Sequence, residues 1–156
     1  MTQDGFVKNV ALFYFFAFLD ETLAIKSSFK TMRISKKVFS GETSLSEVEK
    51  DATLVALTYK QWHKYKQKAL NRSIASVGDE TGWYVAPAVD MGLWRQFMRD
   101  SDADEFLAVL WSRVLKITDE AIAKGLGVTV GTVRHRTGRG LRKLSSMRVS
   151  VFYDEH

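Results

Sequence analysis

Apolar residues recur along this chain at helical steps rather than in alternation, so helices are the elements it predicts almost throughout. Phe6, Val10, Phe13, Ala17, Leu23 and Phe29 recur at three-, four- and six-residue steps and predict a first helix over Phe6 to Met32. A break is expected near Asp20, where an aromatic run gives way to polar residues. The polar, basic stretch Arg33 to Thr43, which includes Gly41, predicts a loop. Ser44 and Glu47 have the spacing of a capping box, so a second helix is expected to begin there and end near Asn71. Its apolar stripe is Val48, Ala52, Val55, Tyr59, Trp62 and Ala69, and its last turns carry Lys60, Lys64, Lys66, Lys68 and Arg72, where cations favour the helix dipole.

Residues 73–87 contain Gly78, Gly82 and the single proline, Pro87, without helical period, and predict a linker. A short helix from about Ala88 to Met98 follows. Asp100, Ser101 and Asp102 then offer caps for a helix reaching Lys116. The expected fold class is all-α. Two small helical lobes, 1–72 and 88–148, would be joined by the linker 73–87.

From Thr118 the pattern changes character. Thr118 can cap a short helix, Asp119 to Gly125, whose Ile122 and Leu126 point inward and whose small Ala123 admits a crossing helix. Gly127 stands where a tight turn needs positive φ, Val128 fills the gap, and Thr129 can cap a second helix that buries Val133 and runs to about Leu144. Small residue, glycine and apolar residue in this order form a helix-turn-helix signature. A plain helical hairpin with a glycine turn has the same spacing. The second helix decides between them, because its outward positions include Thr132, Arg134, His135, Arg136 and Arg139, which suit a major groove and its phosphates.

Charge sharpens this picture. The chain carries a formal +5, with a pI near 9.5, which alone says little. Between Glu120 and Asp154, however, there is no acidic residue, while Lys124, Arg134, Arg136, Arg139, Arg142, Lys143 and Arg148 all fall there. Such clustering suits a polyanion, which rewards it through counterion release.

Other chemistries find little support. No cysteine is present, which excludes disulfides, thiol catalysis and thiolate-bound zinc, and fits a reducing, cytoplasmic setting. His63, His135 and His156 lie far apart without ligand spacing, so no metal site is expected. Gly125, Gly127 and Gly131 only loosely echo a dinucleotide-binding loop, and a helix rather than a strand precedes them. Neither an enzyme nor a cofactor is expected. The apolar run Val10 to Leu19 falls short of the roughly 20 residues that a bilayer requires. With Asp4 before it and Asp20-Glu21 after it, it predicts a buried core helix and no membrane span.

Asp102 to Leu144 resembles region 4 of the sigma-70 family of transcription initiation factors, most of all its extracytoplasmic-function group. The resemblance rests on Leu107-Ala-Val-Leu, Ile117-Thr-Asp-Glu-Ala-Ile-Ala, Leu126-Gly-Val, Val130-Gly-Thr-Val-Arg-His-Arg and Arg139-Gly-Leu-Arg-Lys-Leu. It implies that the lobe binds double-stranded promoter DNA through Thr129, Thr132, Arg134, His135, Arg136, Arg139 and Lys143. Thr137 departs from the pattern, in place of a large apolar residue, as does Gly138 in mid-helix, where glycine costs about 1 kcal/mol relative to alanine.

The resemblance of the N-terminal part to region 2 is distant. It implies contact with core RNA polymerase through Asp20, Glu21, Phe29 and Arg33, and single-stranded DNA against Trp62, His63, Tyr65 and Lys66. Aromatics interleaved with cations suit unstacked bases. A regulatory partner like an anti-sigma protein is also implied. Two alternatives stay open: a stand-alone regulator whose aromatic N-terminal part dimerises, and a sigma-like fold that serves only as a protein-interaction module.

Overall fold

A computed structural model of the chain describes residues 3–39, 45–75 and 91–154, with side chains described over 5–36, 45–69 and 91–147. All regular structure among the described residues is helical, as expected. The helices are α1 (Gln3–Phe18), α2 (Glu21–Phe39), α3 (Glu47–Ala75), α4 (Met91–Asp100), α5 (Ala103–Val109), α6 (Asp119–Leu126) and α7 (Val130–Asp154). The chain leaves α5 through a π-helical turn, Leu110–Val114.

The break expected near Asp20 is present. Leu19 takes φ 50°, and the Asp20 carboxylate then accepts the Leu23 amide at 2.9 Å to cap α2. Beyond it the structure corrects the sequence reading. Residues 33–39, expected as a loop, continue α2, because Ser35 is buried and Thr31 bonds the buried Tyr14 hydroxyl at 2.5 Å. Apolar periodicity had hidden a helix whose inward face includes Ser27, Thr31 and Ser35. The capping box lies two residues later than expected: Ser46 accepts the Glu49 amide at 3.2 Å and donates its own amide to Glu49 at 3.1 Å. Ser44 lies outside the described residues, as do 76–90, which hold most of the expected linker. Residues 73–75 belong to α3.

The helices before and after that segment bury one contiguous core rather than one apiece. Phe13, Tyr14 and Phe18 of α1, Leu54 and Val55 of α3, and Phe106, Leu110, Trp111 and Ile122 of the C-terminal helices are all buried in it. The Trp111 indole donates to Thr58 at 3.1 Å, and the Trp94 indole donates to the Phe16 carbonyl at 2.6 Å. Helix α6 lies directly on α3. A Cβ on Gly125 would stand 2.6 Å from the Ala52 carbonyl oxygen, so the two backbones touch there. Among the described residues no helix is long and apolar enough to cross a membrane, and the run 10–19 lies mostly within α1 as core.

Candidate nucleic-acid interface

Helices α6 and α7 are joined by a tight turn at Gly127, where the spacing predicted one. Thr118 caps α6 by accepting the Ala121 amide at 3.2 Å. Gly127 closes the helix at φ 70° and ψ 34°, the left-handed conformation that costs a glycine nothing. The Val128 amide reaches back to the Ala123 carbonyl at 3.0 Å, which satisfies a carbonyl orphaned at the helix end. Thr129 then caps α7, accepting the Thr132 amide at 3.1 Å, and its hydroxyl meets that of Thr132 at 2.9 Å. Both threonine hydroxyls are thus engaged in the cap.

Val133, Thr137 and Gly140 face the core. Gly140 has a packing reason that spacing did not reveal: a Cβ there would meet the Glu105 carbonyl oxygen at 2.9 Å and Val109 Cγ2 at 2.6 Å. Helices α5 and α7 therefore touch backbone to backbone. Thr137 is buried, and its hydroxyl has no partner among the described residues.

The expected DNA-facing residues do not form one free basic face. Arg134 Nε lies 3.2 Å from Asp119, Arg136 lies 3.6 Å from Asp104, and Arg139 Nε and Lys143 Nζ each lie 2.9 Å from the Glu105 carboxylate. Lys124 reaches Glu49 of α3 at 3.7 Å. The cluster without acids in sequence is met in space by acids from three other helices. Arg136 is only 26% exposed, whereas Arg134 is 71% and Arg139 52% exposed. Glu105 is nearly buried under its two cations. Burial would raise its pKa, but the charges of Lys143 and Arg139 outweigh that and hold it below the ordinary value.

The outermost strip of α7 consists instead of Gly131, His135 and Arg142, with Arg134 and Arg139 on its edges and Gly138 between. Arg142 is exposed, makes no ion pair among the described residues, and lies with its guanidinium 3.5 Å from where a Gly138 Cβ would stand. It was missing from the expected interface. The signal was present: Arg142 follows His135 by seven residues, two helical turns, and so shares its face. Between α5 and α7 runs a cleft lined by Asp102, Asp104, Glu105, His135, Arg136 and Arg139.

The residues expected to meet single-stranded DNA are divided. Trp62 is buried in the core and cannot stack on a base, which corrects the expectation for that residue. Lys66 Nζ covers its ring at 5.3 Å. Tyr65 is half-buried, with Lys26 and Lys64 at 5.5 and 5.6 Å from its ring centre. His63 is exposed and lies edge-on to Tyr59 and Trp62; burial and the Lys66 charge lower its pKa against a smaller opposing effect of Asp104.

Of the expected polymerase contacts, Asp20 serves as the α2 cap, while Glu21, Phe29 and Arg33 are exposed on α2, Phe29 by 70%. The Lys64 amine beside Lys30 lowers the Lys30 pKa, a sign of crowded positive charge between α2 and α3. No acid occurs at positions 22–41 or 52–78, and the charges of Lys26, Arg33 and Lys64 all act on Lys30.

Among the described residues no group of three or more His, Cys, Asp or Glu side chains could hold a metal ion. Compared with known proteins, the chain matches no family model, no characterised relative and no solved structure.

Proposed function

We propose that the protein is a cytoplasmic DNA-binding transcription factor that reads duplex DNA through the outer strip of α7. The observation that carries this reading is the capped turn from Thr118 to Thr129, which projects a helix whose solvent side bears Arg134, His135, Arg139 and Arg142. The exposed Gly131 and the half-buried Gly138 carry no side chain that would hold that side away from base edges. Its role is initiation of the sigma type, with the basic and aromatic surface of α2 and α3 turned to core RNA polymerase, as the resemblance of Asp102 to Leu144 implies.

One observation favours a second reading, a stand-alone regulator. The N-terminal helices share their core with the helix-turn-helix, which suits a scaffold for α6 better than an independently docking lobe. Mixing the chain with bacterial core RNA polymerase and separating the species by size decides between the two. Stoichiometric co-elution supports the initiation factor. A free dimer that prefers palindromic duplexes, with half-sites about one helical turn apart, supports the regulator. If neither polymerase nor duplex DNA binds, both readings fail.

A further inference from the structure

Glu105 does more in this fold than its place on α5 requires. A carboxylate this well covered is costly unless it is paired, and two cations of α7 pair with it at 2.9 Å. Both cations were expected to meet DNA, and both are drawn instead towards the α5 edge of α7. They are left in different states. Lys143 is a point charge, and the carboxylate takes it up. Arg139 is a fork, and its contact with Glu105 runs through Nε at 2.9 Å. Its two Nη groups make no other ion pair among the described residues, and the side chain stays half exposed.

We propose that Glu105 is a positioning residue for sequence readout: it fixes Arg139 by Nε so that the two Nη groups face outward as a preset bidentate donor to a guanine edge, and it withholds Lys143 from the phosphates. The inference rests on the DNA-binding reading above. Its logic is entropic and geometric. A free arginine must order a long side chain on meeting a base, whereas one already held at Nε has less freedom left to lose. Arginine to guanine O6 and N7 needs two donors in a fixed plane, and a guanidinium tethered at Nε keeps two available. The Gly140 contact sets the distance, because it brings the α7 backbone against the Glu105 carbonyl and so keeps the carboxylate within reach of residues 139 and 143.

The test uses the full chain. A duplex selected by the wild type from a randomised library and a scrambled duplex are titrated, and the ratio of the two affinities is the readout. E105Q and R139K should each lower this ratio about tenfold, the worth of one bidentate base contact. The double variant should lose no more than either single one, because the two residues act as a unit. K143A should leave the ratio unchanged. E105Q should also bind the scrambled duplex more tightly, since Lys143 is released to the phosphates.

An unchanged ratio in folded E105Q overturns the proposal and leaves Glu105 a purely structural residue. Should E105Q fail to fold, R139K decides alone, because it keeps a cation beside Glu105 and removes only the fork; an unchanged ratio there overturns the proposal equally. A wild type that selects no sequence defeats the DNA-binding reading itself, a result distinct from either of these.

Discussion

Trp111 stacks on Phe13 with ring centroids 5.8 Å apart and planes inclined by 14°, joining the π-helical turn after α5 to the first helix of the chain. The same indole donates to Thr58 of α3, so one side chain ties together three segments far apart in sequence. The aromatic run expected to be core is therefore tied to the turn that leads from α5 towards α6.

Truncating that side chain should unfold both halves together. Trp111→Ala removes a fully buried ring and is expected to cost about 3–5 kcal/mol. Because the core is continuous, the loss should appear as one transition with coincident midpoints by far-ultraviolet circular dichroism and tryptophan fluorescence. Two separate transitions, with only one displaced by the substitution, would mean that the halves fold independently.

Two glycines only two residues apart in α7 should respond to alanine with opposite signs. A Cβ at Gly138 meets nothing nearer than the flexible Arg142 guanidinium at 3.5 Å, so Gly138→Ala should stabilise by about 0.5–1 kcal/mol through helix propensity. At Gly140 the new methyl would stand 2.9 Å from a backbone carbonyl oxygen and 2.6 Å from Val109 Cγ2. Gly140→Ala should destabilise by about 1–3 kcal/mol as α5 and α7 are pushed apart. Chemical denaturation of the two variants measures both, and equal signs would contradict the packing described.

How far the sequence could be read depended on whether its signals were local. Thr118, Gly127 and Thr129 act within a few residues of themselves, and each takes the role that its type and spacing implied. The α-helical class follows from periodicity of the same short range. Failures came where a distant partner decides. Residues 33–39 are helical because Thr31 and Ser35 face inward, with Thr31 bonded to Tyr14, a pairing across 17 residues. Gly125 and Gly140 are contact points between helices, which no local pattern distinguishes from a flexible glycine. Arg136, Arg139 and Lys143 looked free because the acids opposite them lie more than thirty residues upstream, on α5.

Which arginines are free also separates binding from folding. Arg142→Ala removes an exposed cation without an ion-pair partner among the described residues. It should weaken duplex binding by about 1–3 kcal/mol if it contacts a base, or reduce the salt slope by about one if it contacts a phosphate. The melting temperature should hardly change. Arg136→Ala should behave in the opposite way, since that side chain is mostly covered and points to Asp104. Salt-dependent anisotropy titrations beside thermal melts would show the contrast, and equal loss of affinity in the two variants would remove the distinction drawn between them.

Acid should reveal the Glu105 pairing as stability. In the fold its carboxyl is held below the ordinary value of 4.5, because the Lys143 and Arg139 charges overcome the opposing effect of burial. A carboxylate held low binds its proton less readily when folded than when unfolded. It therefore stabilises the native state above the ordinary value, and that contribution disappears as pH falls through the lowered one. The stability difference between wild type and E105Q should thus be largest and flat from neutral pH down to about pH 5. It should shrink as pH falls below about 4.5. Urea denaturation of both proteins across this range, with each difference taken at one pH, cancels the titration of the other carboxylates. A difference that stays constant to pH 3 would mean that the Glu105 charge adds nothing to the native state, and that the residue matters there only through its packing.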